Sequence, residues 1–249
     1  MDCAYFHFHG SLNDFLPRRQ RRTIIERQFD WRASIKDMIE SLGVPHAEIN
    51  LIVVNGRSVG FDHIVQGGDR IDIYPCTEAV ELPARIDLRP PLPDDPGFVL
   101  DVHLGRLASY LRMMGFDTLY NNNSLDQDLA LIAHREGRIL LTRDVGLLKR
   151  SLVIHGYYVR STIPRRQIVE VLERFNLIDK VKLFMRCMKC NGLLRTVEKT
   201  AILDQILPDT ARYHDEFRQC QSCGQVYWKG SHYERMQGLI KEVLGREQK

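Results

Sequence analysis

The segment FVLDVHLGRLASYLRMMGFDTLY, residues 98–120, decides the fold of the central part of the chain. It opens with a short apolar run that contains Asp101, which predicts a buried strand. Apolar residues then recur at spacings of three and four up to Met114, the period of a helix, and Gly115 ends that helix. Residues 116–120 are a second predicted strand. A strand, a helix and a strand in this order predict a parallel sheet with helices packed on its faces.

A second segment, SLDQDLALIAHREGRILLTRD at residues 124–144, continues the alternation of helix and strand. Its apolar residues follow the helical period up to Gly137 and then run without interruption, which predicts a helix followed by a buried strand. Asp144 lies just past the end of that strand. The remaining predicted elements of this region are a strand at 157–159 and a helix at 165–175. We therefore predict an α/β domain at residues 98–180.

Four aspartates of this domain are candidate ligands of a metal ion. Ligands of open α/β sheets bind beyond the carboxyl ends of the strands, where Asp101 and Asp144 are both expected to fall. Asp126 or Asp128, from the start of the second helix, completes a carboxylate cluster that suits Mg²⁺ or Mn²⁺. Asp126 and Asp144 could instead cap helices, and Asp128 could be a first-turn acid favoured by the helix dipole. A cap does not explain Asp101, which ends an otherwise apolar strand.

Four of the six cysteines form two Cys-x-x-Cys pairs, Cys187 with Cys190 and Cys220 with Cys223. Two such pairs present four thiolates, the closed tetrahedral set that structural zinc prefers. A closed site leaves no coordination position for water, so this Zn²⁺ is expected to stabilise the fold and not to catalyse. We predict a zinc ribbon with a C-terminal helix over residues 181–249, and a redox role for either pair is the alternative.

The N-terminal residues 1–82 predict a separate small sheet crossed by one helix. Asn55-Gly56 is a strong hairpin signal, because these residues tolerate the positive φ values of a type I′ turn. The predicted strands are 4–8, 23–29, 51–54 and 69–74, and the predicted helix is 34–42. Five prolines in LPARIDLRPPLPDDPG, residues 82–97, mark an extended linker that we place at 83–97.

Composition and charge narrow the class of protein. The contents of 44% hydrophobic and 27% charged residues are typical of a globular protein. No apolar run approaches the roughly 18 residues of a membrane span. The start, MDCAYFHFHG, lacks the features of a secretion signal, so a cytoplasmic location is expected. Residues 1–96 carry 11 basic and 15 acidic residues, whereas residues 97–249 carry 24 and 17. The basic C-terminal part suits a polyanion such as nucleic acid.

The two long segments quoted above, followed by YWKGSH at 227–232, resemble the Mut-seven C-terminal ribonuclease domain family, a compact branch of the PIN-like nucleases. The motifs LGRLA, LRMMGFDT and EGRILLTRD occur in the order typical of that family. VVNGRSV and GGDRIDIYP, in the N-terminal part, are similar to ubiquitin-like β-grasp proteins of the sulfur-carrier type. Bacterial members of the nuclease family carry such a domain ahead of the nuclease-like one.

The resemblance implies a metal-dependent ribonuclease with an acidic centre on Asp101, Asp126 and Asp144, and with Asp128 as a candidate fourth acid. One or two Mg²⁺ or Mn²⁺ ions would lower the pKa of a bound water and neutralise charge on the scissile phosphate. The implied substrate is RNA, in single-stranded form. Candidates to steer the RNA backbone, each otherwise a solvated cation, are Arg106, Arg112, Arg143 and Lys149.

Other interpretations stay open. The chain could be a non-catalytic RNA-binding adaptor whose acids are helix caps. It could also be a sulfur-carrier module, although Gly67-Gly68 is internal and is better explained by a tight loop. The ubiquitin-like domain is expected to dock a protein partner or to contact RNA. Among the ribbon aromatics, Tyr227, Trp228 and Tyr233 either stack RNA bases or pack the ribbon against the α/β domain.

Overall fold

The computed structural model describes residues 1–76, 80–82, 84–230, 233–235 and 237–238 as a mixed α/β structure. Its strands are β1 (Asp2–Phe8), β2 (Ile24–Phe29), β3 (Ile49–Val54), β4 (Arg57–Ser58), β5 (Arg70–Pro75), β6 (Phe98–Leu100), β7 (Thr118–Tyr120), β8 (Ile139–Thr142), β9 (Gly156–Tyr158), β10 (Leu194–Val197), β11 (Phe217–Cys220) and β12 (Val226–Trp228). Its α-helices are α1 (Ile35–Ser41), α2 (Gly105–Met113), α3 (Asp126–Arg135), α4 (Val145–Leu148), α5 (Pro164–Arg174) and α6 (Pro208–Tyr213). Short 3-10 helices occupy Gly10–Phe15, Arg18–Gln20, His46–Glu48, Val102–Leu104, Ile178–Lys180 and Lys199–Gln205.

Contacts divide the chain into two compact units. The first unit combines Met1–Pro93 with Leu125–Tyr158, and so contains the N-terminal sheet together with α3, β8, α4 and β9. The second unit combines Asp94–Ser124 with Val159–Lys249, and so contains β6, α2, β7, α5 and the cysteine-bearing region.

The N-terminal sheet has the strand order β2-β1-β5-β3-β4. β1 runs parallel to β5, and the other neighbouring pairs are antiparallel. Alternate residues of the strands face inward and form one core with α1, as the two-residue period of a half-buried sheet requires. That core includes Ala4, Phe6, Phe8, Ile35, Met38, Ile39, Ile71 and Ile73. The predicted order of two strands, a helix and further strands is confirmed, and β4 is the additional short partner of β3.

Two glycine-containing turns shape this sheet. Asn55 and Gly56 have φ values of 51° and 80°, so the predicted hairpin turn between β3 and β4 is confirmed. Gly68 has a φ of 89°, and its amide donates to the carbonyl of Cys3 over 2.7 Å. The Gly67-Gly68 pair is therefore an internal tight turn leading into β5, and the sulfur-carrier hypothesis draws no support from it.

Within the first unit, the N-terminal part packs directly on the region of β8 and β9. The carboxylate of Glu48, which is 1% exposed, accepts a hydrogen bond from the amide of Tyr158 over 2.5 Å. The imidazole Nε2 of His46 lies 3.0 Å from the carbonyl oxygen of Val153. Through these polar contacts the ubiquitin-like segment forms an intramolecular interface with the region of β8 and β9.

Parallel strand pairs occur in both units, as predicted for the central region. β6 pairs in parallel with β7 in the second unit, and β8 pairs in parallel with β9 in the first. In the second unit the ring of Phe98 packs edge-on against Phe116 and Phe175, with centroids 5.9 and 6.2 Å apart. The strand predicted from the apolar run around Asp101 ends before that residue, at Leu100, because the carbonyl of Asp101 accepts the amide of Leu104 and starts a 3-10 turn.

The cysteine-bearing region forms an antiparallel three-stranded sheet in the order β10-β11-β12. Its small core is built by Ile202, Phe217 and Val226. The helix predicted after the ribbon falls mostly on residues outside those that the structure describes. None of the helices in the described part of the chain has the length and apolar content that crossing a membrane would require.

Candidate active site and metal centre

Asp101 follows the buried strand β6 and is itself only 5% exposed. It occupies the N-cap position of the 3-10 turn Val102–Leu104, and its Oδ1 accepts a hydrogen bond from the amide of Val102 over 2.6 Å. The expectation that a cap does not explain Asp101 is therefore wrong. A carboxylate offers about four acceptor sites on two oxygens, so this bond is compatible with further ligation.

Asp126 and Asp128 lie in the first turn of α3. Leu125 is the N-cap residue of this helix, so the interpretation of Asp126 as the cap is wrong. Asp126 is half-buried and Asp128 is exposed. Negative side chains in a first turn are favoured by the helix dipole, which accounts for both acids without fixing their oxygens on a partner.

Asp144 lies two residues past β8, whose four residues are buried. The amide of Asp144 donates to the hydroxyl of Thr142 over 2.9 Å, and Oδ1 of Asp144 accepts from the amide of Gly146 over 2.6 Å. Asp144 thus caps α4, as one of the two interpretations expected. The residue is exposed.

The four acids are divided between the compact units. Asp126, Asp128 and Asp144 belong to the first unit and Asp101 to the second. Among the described residues, groups of metal-ligating atoms within 4.8 Å of one another occur at the four ribbon cysteines and at His7, His9 and Asp72. The three acids of the first unit do not form such a group, and the common metal centre stays a prediction.

Three of the cations predicted to steer RNA have distinct environments. Arg106 is exposed on α2. The guanidinium of Arg143 lies 5.7 Å from the ring centroid of Tyr158, which is a cation–π contact. Lys149 donates through Nζ to the carbonyl of Glu40 over 2.6 Å, and so joins α4 to the N-terminal part of the same unit. Their predicted contacts with RNA are not tested by this geometry.

The four cysteines Cys187, Cys190, Cys220 and Cys223 converge as predicted. Sγ of Cys187 lies 3.6 Å from Sγ of Cys223, and Sγ of Cys190 lies 3.4 Å from Sγ of Cys220. Zinc–sulfur bonds of about 2.3 Å in a tetrahedron place sulfur atoms about 3.8 Å apart. The observed separations are within a few tenths of an ångström of that value, so the cluster fits a structural zinc site.

Each Cys-x-x-Cys pair is shaped as a tight turn. Asn191 and Gly224, directly after the pairs, have positive φ values of 70° and 73°. In the second pair, the amides of Ser222 and Cys223 point at Sγ of Cys220 over 3.4 and 3.5 Å. Burial raises the pKa of this thiol, but these N–H donors together with the side chains of Cys190 and Cys223 lower the pKa of Cys220 to about 7. Amides that stabilise the thiolate prepare the site for a cation.

Arg112 supports the first pair from α2. Its side chain is 5% exposed and donates to the carbonyls of Thr118, Met188 and Lys189 over 2.9, 3.1 and 3.1 Å. Met188 and Lys189 lie between the first two cysteines. Burial lowers the pKa of Arg112, which the negative groups around it oppose. This environment gives Arg112 a structural role at the ribbon, whereas its predicted contact with RNA stays untested.

Asn191 and Asp117 form a second link between the ribbon and the α2–β7 region, a link that sequence reasoning missed. Nδ2 of Asn191 donates to Oδ1 of Asp117 over 2.7 Å, and Oδ1 of Asn191 accepts the amide of Thr118 over 3.0 Å. Arg186 lies 3.4 Å from the other oxygen of Asp117. The sequence signal was an asparagine directly after Cys190, at Asn191, which has the positive φ of the left-handed region.

Tyr227 contacts the cysteine cluster from β12. Its hydroxyl lies 3.1 Å from Sγ of Cys187, and burial followed by this bond raises the pKa of Tyr227. The phenol therefore stays protonated and can donate to a thiolate, a contact that orients a metal ligand. Tyr233 packs edge-on against Phe184 with centroids 5.0 Å apart. For both tyrosines, packing within the second unit is the observed role.

Sequence reasoning also missed the cluster of His7, His9 and Asp72 on the N-terminal sheet. The signal was present as His-Phe-His at residues 7–9, at the end of β1 and the extended residue after it, where alternate residues share a face. The partner carboxylate lies on β5, more than 60 residues later, so only the strand pairing brings it near.

Two regions of the chain match models of known families. A family model described as the Mut7-C RNAse domain matches residues 96–240, and one described as Mut7-C ubiquitin matches residues 1–81. The first match covers more than half of the chain and includes the four aspartates and the four cysteines. Searches of curated proteins and of solved structures found no match.

Proposed function

Because the chain belongs to the Mut7-C RNAse domain family, we propose that it is a metal-dependent ribonuclease that hydrolyses RNA phosphodiester bonds. The proposed acidic centre consists of Asp101, Asp126 and Asp144, with Asp128 as a fourth acid. The observation that carries the proposal is the family match over residues 96–240, which contains all four acids. The ribonuclease domain implies RNA as substrate.

The local positions of two acids support the proposal. Asp101 directly follows β6, and Asp144 follows β8 by two residues. In open α/β sheets, functional groups lie just past the carboxyl ends of strands. A helix-cap bond to a neighbouring amide orients each of these carboxylates, which is the kind of preorganisation that metal ligation needs.

Carboxylates are the hard oxygen donors that Mg²⁺ and Mn²⁺ prefer. Mg²⁺ usually keeps several waters and is held by one or two carboxylates, so the acids need not crowd within 4.8 Å of one another. When bound, such an ion would lower the pKa of a water and offset charge on the scissile phosphate. Asp101, Asp126 and Asp144 would supply the oxygen ligands, with Asp128 as a candidate fourth acid.

We propose Arg106, Arg143 and Lys149 as the side chains that steer the RNA backbone, because Arg112 is committed to carbonyl oxygens of the ribbon. A groove in the second unit adds support for single-stranded RNA, since unpaired bases stack on aromatic rings beside basic groups. Its lining includes Phe184, Trp228 and Tyr233 beside Arg218 and Lys229, the last of which pairs with Glu216. The metal-binding thiolates favour a reducing compartment, and we propose the cytosol.

A second candidate function is that of a non-catalytic RNA-binding adaptor. The observation that favours it is that Asp101 and Asp144 both cap short helical turns. Each acid therefore has a structural reason to be present without a metal.

The two functions are separated by assaying labelled single-stranded RNA with Mn²⁺ or Mg²⁺, for binding and for cleavage. The variants are Asp101→Asn and Asp144→Asn, and the matched control is Asp95→Asn in the proline-rich linker. Asparagine caps helices about as well as aspartate, so these variants remove charge while keeping the cap. We expect each to lower the metal-dependent cleavage rate by about 100-fold or more, with RNA binding retained. Undiminished cleavage in both variants refutes the acidic centre, and binding without cleavage by the unaltered protein supports the adaptor.

A further inference from the structure

A cluster of metal-ligating side chains lies on the N-terminal sheet, away from the acids and the cysteines discussed above. His7 lies in β1, and His9 follows the last residue of that strand, Phe8, with an extended backbone (φ −95°, ψ 160°). Alternate residues of an extended chain share a face, so both imidazoles project to the same side. β1 pairs in parallel with β5, and His7 is directly opposite Asp72 in that pairing. Backbone pairing in the middle of the sheet therefore fixes the three side chains next to one another.

The three ligand atoms are already close enough to share an ion. Nδ1 of His7 and Nε2 of His9 lie 3.2 and 2.8 Å from the same Oδ1 of Asp72, and all three atoms lie within 4.8 Å of one another. Zinc bonds of about 2.0–2.1 Å to nitrogen and oxygen place neighbouring ligand atoms about 2.8–3.4 Å apart. The two nitrogen–oxygen separations fall in that range.

We propose that His7, His9 and Asp72 bind Zn²⁺, or a divalent transition-metal ion of the same class, as a second metal site. Two imidazoles and one carboxylate are a ligand set that this class of ion takes in proteins, with the remaining position open to water or a ligand. The site goes beyond the proposed ribonuclease activity and does not depend on it.

The surroundings of the cluster suit an exchangeable ion. The side chains of His7, His9 and Asp72 are 38%, 24% and 38% exposed, so an ion can enter from solvent. The ring of His9 stacks on Tyr74 with centroids 4.1 Å apart and an interplanar angle of 11°, which holds the imidazole in place. Beside His7 and Asp72 a groove continues along the sheet, and its lining also includes Tyr5, Glu26 and Arg70.

A plain ion pair explains the cluster less well. An exposed histidine–carboxylate pair contributes about 0–1 kcal/mol and requires a single histidine. Here two imidazole nitrogens converge on one carboxylate oxygen, and their ring centroids are 4.2 Å apart. A shared divalent cation would be ligated by both rings and by the carboxylate together.

The test is zinc stoichiometry of the full chain, purified without a histidine tag, dialysed against Zn²⁺ and measured by metal analysis. We expect two equivalents in the unaltered protein, one at the cysteines and one at this cluster. His7→Gln, His9→Gln and Asp72→Asn should each lower affinity for the second equivalent by at least about 10-fold. The matched control, His134→Gln, changes an exposed histidine of the same unit and should keep two.

Substitution with Co²⁺ identifies which site each equivalent fills. Cobalt at the cysteines gives sulfur-to-metal charge-transfer absorption, whereas cobalt at His7, His9 and Asp72 gives d–d bands without it. Thermal unfolding without added metal shows that each variant is folded. Two results would overturn the proposal and leave the cluster as an ion pair. One is a single equivalent in the unaltered protein at saturating Zn²⁺. The other is two equivalents with unchanged affinity in all three variants.

Discussion

Replacing Arg112 by methionine tests whether this arginine supports the zinc ribbon or contacts RNA. Its guanidinium is buried between α2 and the first cysteine pair, where it donates to three carbonyl oxygens over 2.9–3.1 Å. Methionine replaces the apolar stem of the side chain but leaves those carbonyls without their donor. Two of the carbonyls belong to Met188 and Lys189, the residues that connect Cys187 to Cys190.

The expected cost follows from the number and kind of the bonds. A hydrogen bond with a charged partner contributes about 1.5–3 kcal/mol, and an unsatisfied buried acceptor costs about 1–3 kcal/mol. Because methionine keeps part of the packing, we expect Arg112→Met to lower the free energy of unfolding of the second unit by about 3–5 kcal/mol. Loss of groups that orient metal ligands costs about 10–100-fold in metal affinity, and we expect zinc affinity to fall by that factor.

Two measurements and one control decide the result. Denaturant unfolding gives the change in stability, and competition with a chromophoric chelator gives the zinc affinity. The control is Arg165→Met, since Arg165 is an exposed arginine of α5 in the same unit and is not among the proposed RNA contacts. If Arg112→Met matches this control in stability and zinc affinity but loses RNA binding, then Arg112 is an RNA contact and the structural reasoning fails.

Three further predictions concern other contacts. Glu48→Ala removes the buried acceptor of the Tyr158 amide and should destabilise the first unit by about 1–3 kcal/mol, measured by urea unfolding. Burial, aided by Arg89, lowers the pKa of His155 from its usual 6.5. Below pH 6.5 the unfolded state therefore binds a proton more readily than the folded state, and the free energy of unfolding falls as the pH falls. His155→Gln should flatten this decline between about pH 7 and 5. Cys187→Ser should remove one equivalent of zinc by metal analysis, and retention of that zinc would contradict the four-cysteine site.

Much of the fold follows from local sequence signals. The hairpin at Asn55-Gly56 was predictable because a type I′ turn needs positive φ at both central residues, which few other residues adopt without strain. The ends of β6 and α3 were less predictable. The side chain of Asp101 accepts a hydrogen bond in the 3-10 turn that follows β6, and Leu125 rather than an acid is the N-cap residue of α3. Both β6 and α3 are therefore shorter than their apolar patterns suggest.

The two candidate metal sites differ in how far sequence could predict them. Each Cys-x-x-Cys pair builds half of a zinc site within four residues, so the spacing alone predicts the ligands. An aspartate just past a strand carries no such constraint, because the same position serves to cap the following turn. At Asp101 and Asp144 the cap bonds are observed, and they fix the carboxylates without excluding a metal. Asparagine caps a helix about as well as aspartate, but it does not replace a carboxylate as a metal ligand. The activity of the asparagine variants therefore distinguishes the two roles, which the geometry of the cap does not.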